Sequence, residues 1–233
     1  MNLPFVTAPK YTLTLPSTGK KCEYRPFLVG EQKLLMLALE TGEGDEIINS
    51  IHQVIDTCTF NKLDCRSLPS FDTEYIFIKL RSKSIGEKLE LDVVCKECET
   101  KNDYELDLES IKVVKPKNHS TKIQLTTSMG VIMRYPTTEE TDLIKSRKSV
   151  DTIYGVVTGC IEQIYDDETV YMAKDFSKED INTWVDKLNQ EQFDKIEKFF
   201  EDMPKVETRI EFNCKKCKED NVIVVEGIDS FFA

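Results

Sequence analysis

The hydrophobic pattern of the first half switches between a period of two and a period near 3.6. Residues 11–15 and 22–29 alternate apolar and polar positions on either side of a turn at 16–19, which predicts a β-hairpin. A leucine-rich stretch from Glu31 then predicts a helix. Apolar residues recur every three or four positions over 47–58, which predicts an amphipathic helix with one buried face.

The same half ends in a predicted strand pair around two cysteines. A third helix is predicted from Ser70 to about Gly86. Residues 87–94 then alternate as a strand, and 103–111 are predicted to form the returning strand. A C-x-x-C motif lies between these two strands, where a tight hairpin tip is expected.

The same order of elements restarts after a polar, turn-prone segment at 116–120. The predictions for this half are a hairpin over 123–127 and 131–135, helices over 138–144 and 153–164, a short strand at 169–173, helices over 177–188 and 190–203, and strands at 206–212 and 222–225 around a second C-x-x-C.

Two copies of one unit explain this order. The apolar positions of 47–58 find apolar partners 106 residues later, and the two cysteine pairs match at an offset of 119. Any two amphipathic helices match at such spacings, so the shared order and the paired C-x-x-C motifs carry the argument. We predict an α+β fold of two duplicated repeats, 1–115 and 122–233, joined by a junction at 116–121 and related by a pseudo-twofold axis.

The four motif cysteines have the number and type of ligands that a structural zinc site requires. They are Cys95, Cys98, Cys214 and Cys217. We predict one Zn²⁺ per chain, held in a zinc-ribbon-like site that joins the two repeats. Because protein would fill all four positions, this metal is expected to be structural.

Two other interpretations of the cysteines stay open. The motifs lack the glycine or proline that often flanks zinc knuckles, so metal-free thiols on two polar turns are one alternative. A redox pair is the other, although such pairs usually lie at a helix N-terminus, whereas these lie between strands. Two further cysteines, Cys58 and Cys160, are expected in the core.

Charge and hydropathy exclude some classes of function. The net charge of −11 argues against a nucleic-acid partner, and the one dense basic cluster, at 215–218, is short. The chain has no run of 18 apolar residues, so no membrane partner is expected. Its first ten residues lack the charged leader and apolar core of a signal peptide. We therefore expect reduced cysteines in a cytoplasmic setting.

No group of residues has the pattern of an active site. The chain has two histidines. His52 is expected on the polar, solvent-facing side of its helix, and His119 lies in the junction. Neither belongs to a recognisable triad, and no glycine-rich phosphate loop is present. We predict that the protein is not an enzyme.

Several stretches resemble the baseplate proteins of T4-like contractile-tailed phages. They are YRPFLV at 24–29, the leucine-rich helix at 31–40, and SFDTEYIFIKLRSKSIGE at 70–87, which runs on to Cys95 and Cys98. The resemblance covers most of the chain and is best in the first repeat. It implies the small family whose members belong to, or help to assemble, the central hub of the baseplate.

The resemblance implies a role in building the tail. The expected function is a structural component of the baseplate hub region that binds other tail proteins, with tape-measure and tail-tube-end proteins as candidate partners, and that is oligomeric in the assembly. Assembly would take place in the host cytoplasm and the final location would be the virion tail. The alternatives are a transient assembly chaperone absent from the virion, a zinc-ribbon nucleic-acid adaptor and a redox protein.

Overall fold

The computed structural model describes residues 7–147 and 149–227. The first six residues, part of the segment on which the signal-peptide argument depends, lie outside this description, as do the last six of the predicted second repeat. The α-helices are α1 (Val29–Thr41), α2 (Gly44–Cys58), α3 (Ser70–Ser84), α4 (Thr138–Arg147), α5 (Val150–Gly159), α6 (Lys178–Val185) and α7 (Gln190–Glu201).

The strands form four antiparallel groups, which makes the architecture a mixture of helix and sheet, as predicted. They are β1 (Tyr11–Thr14), β2 (Lys21–Tyr24), β3 (Lys88–Val94), β4 (Lys101–Asp107), β5 (Lys112–Val114), β6 (Lys122–Gln124), β7 (Gly130–Met133), β8 (Ile161–Tyr165), β9 (Val170–Met172), β10 (Lys205–Asn213) and β11 (Asp220–Glu226). Their orders are β1-β2, β3-β4, β11-β10-β5 and β6-β7-β8-β9.

The chain divides into two compact units. The first unit contains Met1–Val114 and Lys205–Ala233, and the second contains Lys115–Pro204. The last strand pair, β10 and β11, thus belongs to the same unit as residues 1–114, because β10 pairs with β5. The predicted repeats, 1–115 and 122–233, describe a duplication in the sequence, whereas these units describe which residues pack together. The repeat boundaries therefore stay a prediction.

The first unit is built around α3, which is buried on nearly all sides. The hairpin β1-β2 and helices α1 and α2 contribute the apolar side chains that surround it. Asp72 in its first turn accepts hydrogen bonds from the backbone N–H of Ser17, at 3.0 Å, and from the Ser17 hydroxyl. This buried contact ties the turn of the first hairpin to the start of α3.

Lys79, on the same helix, organises the loop that follows β4. Its Nζ donates to the carbonyl oxygens of Leu108 and Glu109 at 3.4 and 3.1 Å, and it lies 3.0 Å from the Glu109 carboxylate. The predicted single strand over 103–111 is therefore wrong in its extent. Strand β4 ends at Asp107, and the chain turns before β5 begins.

The second unit packs α5, α6 and α7 against its four-stranded sheet. Helix α6 begins with a capping box, in which Ser177 Oγ accepts from the Asp180 N–H and the Asp180 carboxylate accepts from the Ser177 N–H, each at 3.1 Å. No helix within the described residues has the length and apolar character needed to cross a bilayer.

The prediction of one helix over 153–164 is wrong. Helix α5 ends at Gly159, and Ile161 and Ile164 lie in β8. The strand register shifts between Ile132 and Met133, so β8 accommodates one extra residue opposite β7. Such a bulge lets two positions three residues apart face the same side of a strand. The three-residue spacing of Ile161 and Ile164 is therefore also compatible with a helix. In the match of 47–58 with the residues 106 positions later, the last positions pair a helix with a strand.

The expected position of His52 is also wrong. This residue is 1% exposed, although sequence periodicity places it on the polar side of α2. Helix α2 packs against both α1 and α3, so its buried surface is wider than one face. The core positions predicted for Cys58 and Cys160 are confirmed, since both side chains are fully buried.

Candidate metal centre

The two C-x-x-C motifs form two knuckles of the same local geometry. We call residues 95–100 the first knuckle and residues 214–219 the second knuckle. In the first, the Cys95 N–H donates to the Thr100 carbonyl at 3.0 Å, and the Glu99 N–H donates back to the Cys95 carbonyl at 3.0 Å. The Glu99 backbone is left-handed, with φ of 54°. These bonds turn the chain tightly enough to aim both sulfur atoms in one direction.

The second knuckle repeats this arrangement residue for residue. The Cys214 N–H donates to the Glu219 carbonyl at 2.9 Å, and the Lys218 N–H donates to the Cys214 carbonyl at 3.0 Å. Lys218 also has a left-handed backbone, with φ of 64°. Glycine adopts a left-handed backbone conformation with the least steric strain, but neither knuckle has a glycine at this position.

The structure brings all four predicted cysteines together. Their Sγ atoms lie within 4.8 Å of one another, and the Cys95–Cys217 and Cys98–Cys214 sulfur pairs are each 3.6 Å apart. A disulfide would require about 2.05 Å. Sulfur ligands about 2.3 Å from a tetrahedral metal lie roughly 3.8 Å from one another. The four thiols are thus spaced to hold one metal ion.

The centre is partly shielded from water. Cys95 and Cys214 have no exposed surface, Cys98 is half-buried and Cys217 is exposed. The buried members are the first cysteine of each knuckle, where the strand enters the turn. A metal held here would be coordinated on all sides by protein sulfur, with the Cys217 side facing solvent.

Two asparagines that the sequence analysis did not single out link the knuckles. Asn102 Oδ1 accepts from the Lys215 N–H at 2.8 Å, and its Nδ2 lies 3.8 Å from Cys214 Sγ. Its Nδ2 also donates to the Thr100 carbonyl of its own knuckle at 2.8 Å. The side chain is buried, so it stabilises the opposite knuckle and holds the sulfur of Cys214 in place.

Asn221 makes the reciprocal contacts. Its Oδ1 accepts from the Lys96 N–H at 3.0 Å, its Nδ2 donates to Cys95 Sγ at 3.4 Å, and its Nδ2 also donates to the Glu219 carbonyl at 3.0 Å. Each asparagine follows the second cysteine of its own knuckle with the same spacing, C-x-x-x-N. That shared spacing was the available sequence feature. We call Asn102 and Asn221 the asparagine clasp.

The thiols differ in acidity when no cation is present. Hydrogen bonding from the backbone N–H of Cys217 lowers the pKa of Cys214 to about 6. Contact with the Thr100 hydroxyl lowers the pKa of Cys98. The Glu219 N–H lowers the pKa of Cys217, but the neighbouring sulfur of Cys98 and desolvation outweigh it and raise the value to about 12. A bound divalent cation would stabilise the thiolate form of each cysteine that coordinates it.

Basic residues lie around the four cysteines. Lys96, Lys215 and Lys216 are all exposed, and Lys215 Nζ lies 3.6 Å from the Asp103 carboxylate. Such exposed charges contribute little individually. They reduce the net negative charge that four thiolates would place at this surface.

Comparison with the curated proteins and comparison with the solved structures each gave no match. A family model described as T4 bacteriophage base plate protein matches residues 8–233, which is nearly the whole chain and includes both knuckles. The resemblance drawn from the sequence is thereby confirmed. This chain belongs to the T4 bacteriophage base plate protein family.

Proposed function

We propose that this chain is a structural component of the hub region of a contractile phage baseplate and that it binds other tail proteins during assembly. The family match over residues 8–233 carries this proposal, since membership implies a structural role in a phage baseplate and a location in the virion tail. The hub position, the tail-protein partners and an oligomeric state in the assembly are the finer parts of the proposal.

The chemistry of the remaining cysteines supports a role without catalysis. Burial raises the pKa of each of three core thiols, those of Cys58, Cys65 and Cys160, to about 12. A buried thiol of such high pKa is a poor nucleophile at neutral pH. The more acidic thiols belong to the four-cysteine cluster, where a metal would occupy them.

Purified virions distinguish a baseplate component from an assembly chaperone. Quantitative mass spectrometry of particles should detect the chain at a constant ratio to known baseplate proteins, and cross-linking of isolated baseplates should join it to hub proteins. Detection in infected cells together with absence from purified particles would overturn the component role and favour the chaperone. Steeply salt-dependent binding to DNA or RNA would instead favour a nucleic-acid adaptor.

We also propose that the four cysteines hold one structural Zn²⁺. The sulfur–sulfur distances of 3.6 Å, the all-thiolate ligand set and the amide contacts to sulfur support this assignment. Thiolate ligands favour zinc over the harder magnesium and calcium ions. The zinc would stabilise the fold and leave no open position for a substrate.

Elemental analysis tests the metal. The purified chain should contain one zinc per molecule, and Cys95→Ser and Cys214→Ser should each lose it. Cys22→Ser is the matched control, because Cys22 is also buried but lies in the first hairpin. This control should retain the zinc. A wild-type chain that is metal-free and fully folded in strong chelator would contradict the proposal.

A duplicated origin remains our proposal for the two halves. The reciprocal asparagine clasp supports it, because matching residues of the two knuckles make matching contacts. A second pair of motifs supports it independently. Arg25 and Glu31 form an ion pair of 2.7 Å at the start of α1, and Arg134 and Glu140 form one of 2.7 Å at the start of α4.

These two arginine–glutamate clamps share their backbone contacts as well. The Arg25 N–H donates to the carbonyl of Cys58 at 3.0 Å, and the Arg134 N–H donates to the carbonyl of Cys160 at 2.8 Å. In both units the clamp therefore joins the end of a hairpin, the start of one helix and a buried cysteine at the C-terminal end of the next helix. The pseudo-twofold axis predicted for the repeats remains part of this proposal.

A further inference from the structure

Helix α1 presents an apolar face to solvent. Val29 and Met36 are 81% and 56% exposed, and Leu37 and Leu39 are 50% and 39% exposed. Leu35 and Ala38 lie on the side of the helix away from Val29 and Met36 and are buried in the core. Leu39 is one turn after Leu35 and lies at the edge of the exposed face. A surface helix normally places polar residues on its outer side. Contiguous apolar exposure of this kind marks an interaction surface.

A helix in this position of the fold does not need exposed apolar residues. Helix α4 begins at the equivalent arginine–glutamate clamp in the second unit, and no large apolar residue is exposed on its described surface. Its outer positions include Lys145 and Ser146, which are exposed. The apolar outer face is therefore specific to α1 and needs an explanation of its own.

Two charges on the α1 face identify the partner. Lys33 and Glu40 are exposed, and neither forms an ion pair within the part of the chain that the structure describes. They are seven residues apart, two helical turns, so they lie on the same side of the helix. Met36 lies between them on that side. The face therefore carries a positive charge, an apolar centre and a negative charge in line.

Such a face is complementary to itself when two copies run antiparallel. A twofold axis between residues 36 and 37 places each Lys33 opposite Glu40 of the other copy and brings the two Met36 side chains together. Parallel pairing would instead set like charges against each other. Homodimers use one patch twice in this way. We propose that α1 is a contact between two copies of this chain, paired antiparallel across Met36.

The contact is expected to be weak. Helix α1 has 13 residues and is about 20 Å long. One such helix pair covers less than the roughly 800 Å² per partner of a standard stable interface. We therefore expect a dissociation constant for the dimer in the micromolar to millimolar range. Such an affinity is sufficient for copies that neighbouring proteins hold close together in an assembly. The inference deepens the oligomeric state proposed above, and a self-contact in solution can fail while the baseplate role stands.

Sedimentation equilibrium of the full chain tests the contact. The wild-type chain should dimerise in a concentration-dependent way, and Met36→Glu should abolish dimerisation, because it places two carboxylates at the centre. Lys33→Glu and Glu40→Lys should each weaken the dimer at least about fivefold at low salt, since both inter-copy pairs become repulsive. Circular dichroism confirms that each exposed-site variant is folded.

The charge exchange gives the decisive result. The double variant Lys33→Glu/Glu40→Lys should recover wild-type association, and an equimolar mixture of the two single variants should form a mixed dimer. Lys145→Glu on α4 changes the net charge equally and should have no effect. A wild-type chain that stays monomeric to about 1 mM would overturn the proposal, as would a dimer that survives Met36→Glu or a double variant that fails to recover.

Discussion

The asparagine clasp makes a sharp prediction about metal affinity. Replacing Asn102 with alanine removes its bond to the Lys215 N–H, its bond to the Thr100 carbonyl and its contact with Cys214 sulfur. Replacing Asn221 removes the same set at the other knuckle. Because the contacts are reciprocal, the two substitutions should have nearly equal effects.

The magnitude follows from the number and type of the bonds. A neutral hydrogen bond contributes about 1 kcal/mol, and one to a charged group about 1.5–3 kcal/mol. Alanine would also leave the Lys215 N–H without its present acceptor beside the cluster. We expect a loss of roughly 2–3 kcal/mol of folding stability in the metal-bound chain. The part that acts through the metal should weaken its binding about 10–100-fold, as for other residues that orient metal ligands.

Aspartate distinguishes the two halves of the amide. Asn102→Asp keeps an acceptor for the Lys215 N–H but loses the donor that faces sulfur, and it adds a negative charge beside the thiolates. It should therefore weaken metal binding more than Asn102→Ala. If the asparagine served only to accept the backbone bond, aspartate would be tolerated.

Asn213 provides the matched control. Its Nδ2 donates to the Lys218 carbonyl at 2.6 Å and to the Asp220 carboxylate at 2.9 Å. Both contacts are exposed and lie within the β10-β11 hairpin, so neither reaches the first knuckle. Asn213→Ala should change metal affinity less than about threefold. Competition with a chromophoric chelator measures the dissociation constant for each variant. Equal affinities for wild type, Asn102→Ala and Asn221→Ala would refute the argument, as would an equally large loss in Asn213→Ala.

The ion pairs of Glu109 and the two arginine–glutamate clamps make testable contributions to stability. Burial raises the pKa of Glu109, but contacts with Ser82, Lys79 and Lys83 outweigh it and hold the value at about 2. Because the native value is depressed, the stabilisation is complete above about pH 5 and is lost as the pH falls towards 2. Its side chain is 35% exposed, so Glu109→Gln should cost only about 1–2 kcal/mol at pH 7 in urea unfolding. The difference in free energy of unfolding between wild type and Glu109→Gln should disappear by about pH 2. A difference that does not change with pH would refute the ionic explanation. Arg25→Lys and Arg134→Lys each lose a two-pronged carboxylate contact and should cost about 1–2 kcal/mol. Their effects should add in the double variant, since the clamps lie in separate units; an interaction term above about 0.5 kcal/mol would contradict this.

The candidate site was predictable from the sequence as far as its ligands were concerned. Two C-x-x-C motifs between alternating strands predicted the four cysteines that the structure brings together. Asn102 and Asn221 were harder to find because a single asparagine in a polar strand has many explanations. What identifies them is a contact between segments more than 110 residues apart. A motif search within one knuckle cannot detect such a contact.

The errors in the fold have the same cause. Ile161 and Ile164 are three residues apart, which fits either a helix or a bulged strand, and pairing with β7 decides between them. His52 is buried although the periodicity of α2 places it on the polar side, and α2 packs against two other helices. In each case the deciding partner is another element, so local pattern could not supply the answer.

The metal centre has a consequence for how the chain is tied together. The second unit begins at Lys115 and ends at Pro204, directly between the paired residues Val114 of β5 and Lys205 of β10. It is thus inserted into the first unit, whose two parts are joined by this short strand pairing, by the contact of α3 with β10 and by the two knuckles that bring the four cysteines together. A cross-link that closes a loop of about 100 residues stabilises a fold by several kcal/mol, chiefly through the entropy of the unfolded chain. Loss of the metal should accordingly loosen β10 and β11 from the first unit while the second unit, which has its own core, stays folded. The zinc proposed here would therefore act as a clasp on the ends of an insertion.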